Sequence, residues 1–133
     1  MKSSVIIVLL SSILFFLSCS GATNTPETAM NHYFDCLKKK DADCVMSFLG
    51  DGETQQFGKT PLERKKNLES FLSKIKSHSH NIDKKAINAS TAEFEVTEKV
   101  SMETSNFVWN NVYTWVKSSD GSWKLDEKKS KQD

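Results

Sequence analysis

Residues 91–117, TAEFEVTEKVSMETSNFVWNNVYTWVK, leave this chain few folds to choose from. Ala92, Phe94, Val96, Val100 and Met102 fall on one parity, and Glu93, Glu95, Thr97, Lys99 and Ser101 on the other. A period of two marks a strand with one buried face. The next run repeats it, with Phe107, Trp109, Tyr113 and Trp115 on one parity and Val108, Val112, Thr114 and Val116 on the other. Two such runs this close predict a long antiparallel hairpin. A four-residue loop, Glu103–Asn106, sets Met102 opposite Phe107, Val100 opposite Trp109, Val96 opposite Tyr113 and Phe94 opposite Trp115. In that register Glu98 faces Asn111, the one polar pair on an aromatic face.

The flanks complete the pattern. Thr25-Pro26-Glu27 reads as an N-cap, a proline at the first helical position and an acid in the first turn. Ala29, Met30, Tyr33, Phe34 and Leu37 then recur at helical spacing, predicting a helix to about Lys39. A second, short helix runs from about Asp41 to Leu49, with Cys44, Val45, Phe48 and Leu49 as its stripe and Gly50 as its stop. Residues 51–59 read as a loop. Thr60-Pro61-Leu62-Glu63 is a capping box that opens a third helix through Leu68, Phe71, Leu72 and Ile75 to about Ser77. Beyond it, residues 81–89 form a weak strand, with only Ile82 and Ile87 as large apolar residues. After the hairpin, a three-residue loop with Gly121 left-handed would set Trp123 opposite Lys117 and Leu125 opposite Trp115. Residues 128–133, KKSKQD, read as a frayed tail. Helices segregated from strands predict an α+β domain: three N-terminal helices packed on a curved four-stranded antiparallel sheet.

The first residues belong to no such domain. Lys2 precedes an apolar run, Val5–Leu17, interrupted only by Ser11 and Ser12, and small residues follow it. The run is short of the roughly 20 residues a membrane-spanning helix needs and reads as a signal peptide over 1–18. A linker over 19–25, the domain over 26–127 and the tail follow. Phe16-Leu17-Ser18-Cys19-Ser20 resembles the cleavage region of bacterial lipoproteins, although Phe16 stands where that family usually has leucine. The resemblance implies a lipid on Cys19 and an envelope protein anchored to a membrane. Ordinary cleavage after Ser20, giving a soluble secreted protein, is the alternative.

The chain carries 18 basic and 17 acidic side chains. Without Lys2 the two signs balance, and no basic stripe interleaves with aromatics, so nucleic acid is not an expected partner. The three helices and the sheet, with Lys39-Lys40-Asp41-Ala42-Asp43 between the first two helices and Asp120-Gly121-Ser122-Trp123-Lys124-Leu125 near the end, resemble the nuclear transport factor 2-like superfamily. More narrowly, they are similar to small bacterial lipoproteins of unknown function with a lumazine-binding-like domain. The resemblance implies a cone-shaped domain, often with a ligand pocket inside. The superfamily also includes isomerases, dehydratases and epoxide hydrolases, which place acidic or histidine residues inside the cone.

Glu98 and Asn111, with Trp109, Tyr113 and Tyr33 around them, are the candidate ligand-binding residues. A β-bulge or a solvated patch of sheet would explain the polar pair without a ligand. Catalysis on Glu98 and Tyr33 is the enzymatic alternative, but the inward parity of the last three strands holds no Asp, His or Arg to complete an acid–base set. His78 and His80 could face one side of a strand and bind metal, yet read better as exposed residues at a helix end. His32 reads as peripheral packing. Cys36 and Cys44 flank the turn around Lys40 and would form a disulfide in an exported protein, contributing roughly 2–3 kcal/mol; two buried thiols are the alternative. The Val108, Val112 and Val116 row is either a partner or homodimer surface or a bare exposed row. No metal or cofactor is expected. The overall expectation is a non-catalytic envelope lipoprotein that binds a small ligand or a protein partner. A small secreted isomerase or dehydratase, or an interaction module with a filled cone, would be the alternatives.

Overall fold

The computed structural model describes residues 25–131. The signal segment, Cys19 and most of the linker lie outside them. Four helices precede four strands: α1 Pro26–Lys38, α2 Ala42–Phe48, α3 Asp51–Gln55, α4 Pro61–Ser73, β1 Ile75–Ile87, β2 Thr91–Met102, β3 Asn106–Lys117 and β4 Trp123–Ser130. The strands form one antiparallel sheet in the order β1-β2-β3-β4, and the helices cover one face of it. The α+β architecture is the expected one. No described helix is long and apolar enough to cross a membrane.

The helix starts obey their capping chemistry. The Thr25 side chain accepts from Thr28 N, the Asp41 side chain accepts from Cys44 N, and Thr60 with Glu63 forms a reciprocal capping box. Between α1 and α2 the chain reverses through a Schellman motif, in which Lys40 N donates to Leu37 O and Asp41 N to Cys36 O. Lys40 takes the left-handed conformation this requires, at φ 56°. The turn delivers the apolar faces of both helices to the same core.

Four expectations are corrected. The hairpin between β2 and β3 is two residues tighter: Ser101 pairs with Asn106, Val100 with Phe107, Glu98 with Trp109 and Phe94 with Tyr113. Met102 N donates to Ser105 O at 2.9 Å, so the turn holds only Glu103 and Thr104. A shift of two keeps every side chain on its face, which is why the alternation could not reveal it. The supposed loop at residues 51–59 contains α3, which lies against β4, with Glu53 Oε1 accepting from Lys128 N at 3.2 Å. The last helix stops at Ser73, and β1 starts at Ile75, well before the expected strand. Residues 128–130 belong to β4 and are not a frayed tail.

The β3–β4 turn is as expected: Lys117 pairs with Trp123 and Trp115 with Leu125, with Gly121 at φ 85°. Past Leu125 the register shifts by one, so that Thr114 faces Glu127 and Tyr113 faces Lys128. This bulge swaps the parity of β4 and turns Lys128 toward the inner face. The core lies between that face and the helices. Met30, Phe34, Phe94, Tyr113 and Trp115 are fully buried in it, and the Trp115 indole N–H donates to Met30 Sδ at 3.0 Å.

Candidate functional site

Glu98 occupies the middle of β2 on the inward parity, between Val96 and Val100, and is 1% exposed. An ionised carboxylate there must find partners inside the protein. Asn111 Nδ2 donates to its Oε2 at 2.5 Å, and the Tyr113 hydroxyl donates to the same oxygen at 2.6 Å. His78 Nε2 lies 2.9 Å from Oε1. A carboxylate only accepts, so Nε2 carries the proton. Lys128 Nζ stands 3.7 Å from Oε2 and also lies over the rings of Trp109 and Tyr113, 5.5 and 5.2 Å from their centroids.

The four partners arrive from the three other strands. Asn111 and Tyr113 are two residues apart on β3, His78 comes from β1, and Lys128 is brought in by the bulge in β4. The sequence pointed to Glu98, Asn111 and Tyr113, and the structure brings these three together, although Asn111 pairs across the ladder with Val96 and reaches Glu98 on the diagonal. Trp109 sits at the rim, half-buried, stacked on Phe107 at 5.9 Å and lying under the Lys128 ammonium. Tyr33 stands behind, edge-on to Tyr113 at 6.2 Å and to Trp115 at 5.9 Å.

Lys128, and His78 as a partner of Glu98, were not expected from the sequence. The expected exposure of His78 is wrong: its side chain is 3% exposed and stacks on Phe34 at 5.3 Å. His80 stacks on the same ring at 3.9 Å. The available signal was the i, i+2 spacing of His78 and His80, which puts both on the inner side once β1 begins at Ile75. The Nδ1 atoms of both histidines are buried without a protein partner.

Burial by itself would push the Glu98 carboxyl up. The His78 hydrogen bond, the Lys128 charge and the Tyr113 and Asn111 hydrogen bonds outweigh it and bring the pKa down to about 2. Tyr113 is raised well above the usual phenol range by burial, then by Tyr33 and Glu98. Tyr33 is raised likewise, chiefly by burial. His80 is lowered by burial, then by Lys38 and His78. The cluster at neutral pH is thus one carboxylate held ionised by protonated donors. A general base works best with a pKa near the operating pH, and Glu98 lies far below it.

Three clefts of about 300, 330 and 270 Å³ open on the surface. None has Glu98, Asn111, Tyr113, Trp109 or Tyr33 in its wall, and the second meets the cluster only at His78. Side chains from β1, β3 and β4 close on the carboxylate. Of the outer valine row, Val108 is well exposed, while Val112 and Val116 are half-buried.

A four-stranded antiparallel sheet in meander order, with N-terminal helices on one face, is the architecture that many solved structures match. The fold is nuclear transport factor 2-like. A nuclear transport factor 2-like protein of unknown function from Burkholderia pseudomallei superimposes with a TM-score of 0.55 at 13% identity, over 79% of this chain and 89% of that one. A SEC-C motif containing protein from Rhodopseudomonas palustris gives 0.68 at 12% identity, over 83% and 81%. A protein from Novosphingobium aromaticivorans, provisionally described as a scytalone dehydratase, gives 0.59 at 20% identity, over 80% and 81%. At such identities the likeness shows the nuclear transport factor 2-like fold and no activity. No protein-family model matches the sequence, and no curated protein matches it.

Proposed function

We propose that the chain is a non-catalytic binding module, held at a membrane surface by lipid on Cys19, whose nuclear transport factor 2-like cone is filled and which meets its partner through its surface. One observation carries this reading: Glu98, the buried carboxylate among the described residues, has both oxygens engaged by its own protein and lies in the wall of none of the three clefts. A group that is to take a proton from a substrate needs a free lone pair and a path to it. The apolar run Val5–Leu17, ending two residues before Cys19, supports the tether. The enzymatic alternative has one observation in its favour, the imidazole of His78 2.9 Å from Glu98, but it requires the cone to open before any substrate could touch Glu98.

Native mass spectrometry of the protein from its own cells tests both halves. A diacylglyceryl mass on an N-terminal Cys19, lost from the membrane fraction in Cys19→Ser, supports the tether, and a mature N-terminus at Gly21 overturns it. A partner protein bound stoichiometrically supports surface binding. A small molecule that stays bound in wild type and is lost in Glu98→Gln overturns the filled cone.

A further inference from the structure

A second group of chemistry-bearing side chains assembles away from Glu98, at the turn between α1 and α2. His32 and Cys36 are one helical turn apart and share a face of α1. The Schellman turn at Lys40 folds α2 back so that Cys44 meets the same face, with the Cα atoms of Cys36 and Cys44 5.7 Å apart and their sulfurs bonded. A ring nitrogen of His32 and the two sulfurs all lie within 4.8 Å of one another, and Nε2 is 4.0 Å from Cys44 Sγ. Cys36 is buried, Cys44 half-buried and His32 exposed. The imidazole is braced edge-on against Phe48 at 5.1 Å and forms a wall of the 300 Å³ cleft beside Ser47, Trp123 and Lys124.

We propose that the reduced form of this pair is a metal site that takes one Zn²⁺ through Cys36 Sγ, Cys44 Sγ and His32 Nε2, with the cleft supplying an open fourth position, and that disulfide formation expels the ion. Two thiolates and one imidazole are a ligand set that Zn²⁺ accepts with a fourth position left to solvent. Tetrahedral coordination at ordinary Zn–S lengths holds two sulfurs about 3.8 Å apart. Cysteines whose Cα atoms are 5.7 Å apart reach that separation by side-chain rotation, without moving either helix. The steps balance. A thiol reductant delivers two electrons and two protons and converts the disulfide into two thiols. Zn²⁺ then displaces both thiol protons to solvent, and His32 contributes its Nε2 lone pair with its proton on Nδ1. A disulfide oxidant withdraws two electrons from the thiolates, the S–S bond returns, and Zn²⁺ leaves as the hydrated ion. In an oxidising compartment the disulfide form prevails, so the site holds metal only when thiol reductant is at hand.

The test uses full-length Cys19→Ser protein, in which Cys36 and Cys44 are the only cysteines. After reduction with a phosphine and its removal, titration with Zn²⁺ against a chromophoric chelator is expected to show one ion per chain, and none for the oxidised protein. Co²⁺ in place of Zn²⁺ is expected to give thiolate charge-transfer and tetrahedral d–d absorption. His32→Ala, at an exposed position, is expected to weaken Zn²⁺ binding by more than the roughly 10–100-fold that loss of an outer-shell partner alone would cost, with both thiols still alkylatable. Far-UV circular dichroism reports the fold throughout. The proposal is overturned if the reduced, folded protein takes up no Zn²⁺, or if His32→Ala binds it as tightly as the parent. It is also overturned if reduction abolishes the helical signal and Zn²⁺ does not restore it.

Discussion

Replacing Glu98 by Gln keeps the volume of the side chain and removes its charge. Three protein donors, from Asn111, Tyr113 and His78, point at the carboxylate, and an amide offers one oxygen and an NH₂ in its place. At least one donor must then face the NH₂. A buried donor left unpaired costs about 1–3 kcal/mol, and a hydrogen bond to a charged group is worth about 1 kcal/mol more than a neutral one. The lower desolvation cost of the amide offsets part of this, leaving a net loss of about 3 kcal/mol. The lowered pKa corresponds to an effect of the same size. The carboxyl drops from 4.5 to about 2 on folding, and at about 1.4 kcal/mol per pKa unit its ionised form adds about 3 kcal/mol to stability. Because the folded pKa is the lower one, this contribution is complete above 4.5 and fades as the pH falls toward 2. Urea unfolding followed by tryptophan fluorescence at pH 7, 5 and 3 should therefore show Glu98→Gln less stable by about 3 kcal/mol at pH 7, with the gap narrowing at pH 3. Tyr113→Phe, which removes one donor and keeps the charge, should lose about 1–2 kcal/mol. A Glu98→Gln protein as stable as wild type at pH 7, or a gap that does not change down to pH 3, would refute the reading of this cluster as a self-satisfied core element.

Two further outcomes follow from local geometry. Alkylation of the oxidised protein without reductant should leave Cys36 and Cys44 unlabelled, and Cys36→Ser should lose roughly 2–3 kcal/mol in a denaturant titration; two labelled cysteines would exclude the disulfide. Gly50→Ala should cost about 1–3 kcal/mol by thermal melting, because a Cβ there would stand 2.9 Å from the backbone oxygen of Leu125, the same oxygen that accepts from Gly50 N at 2.8 Å. An unchanged melting temperature would mean that the close approach of the α2–α3 junction to β4 is not tight.

The legible parts of the site were those whose signal is local. Glu98 and Asn111 stood out because each interrupts an apolar parity, and Tyr113 because it shares theirs. His78 was hidden by the run that precedes it: Leu68, Phe71, Leu72 and Ile75 continue a helical spacing, so the end of α4 at Ser73 leaves no mark in the pattern. Lys128 was hidden twice, once by a charged, tail-like composition and once by a bulge that reverses which residues of β4 face inward. The helix α3 went unread because its five residues carry no apolar stripe and none is buried.

The sequence by itself determined the α+β class, the starts of α1, α2 and α4, the inward face of β2 and β3, and the turn at Gly121, because caps, turn residues and periodicity act over a few neighbouring residues. Only the tertiary structure decided the register of the β2–β3 hairpin, since a shift of two costs nothing in pattern, and the identity of the groups that hold Glu98 ionised. Those groups come from three strands besides its own, and a carboxylate's partners are selected by what lies within about 3 Å in space, a distance to which separation along the chain is blind.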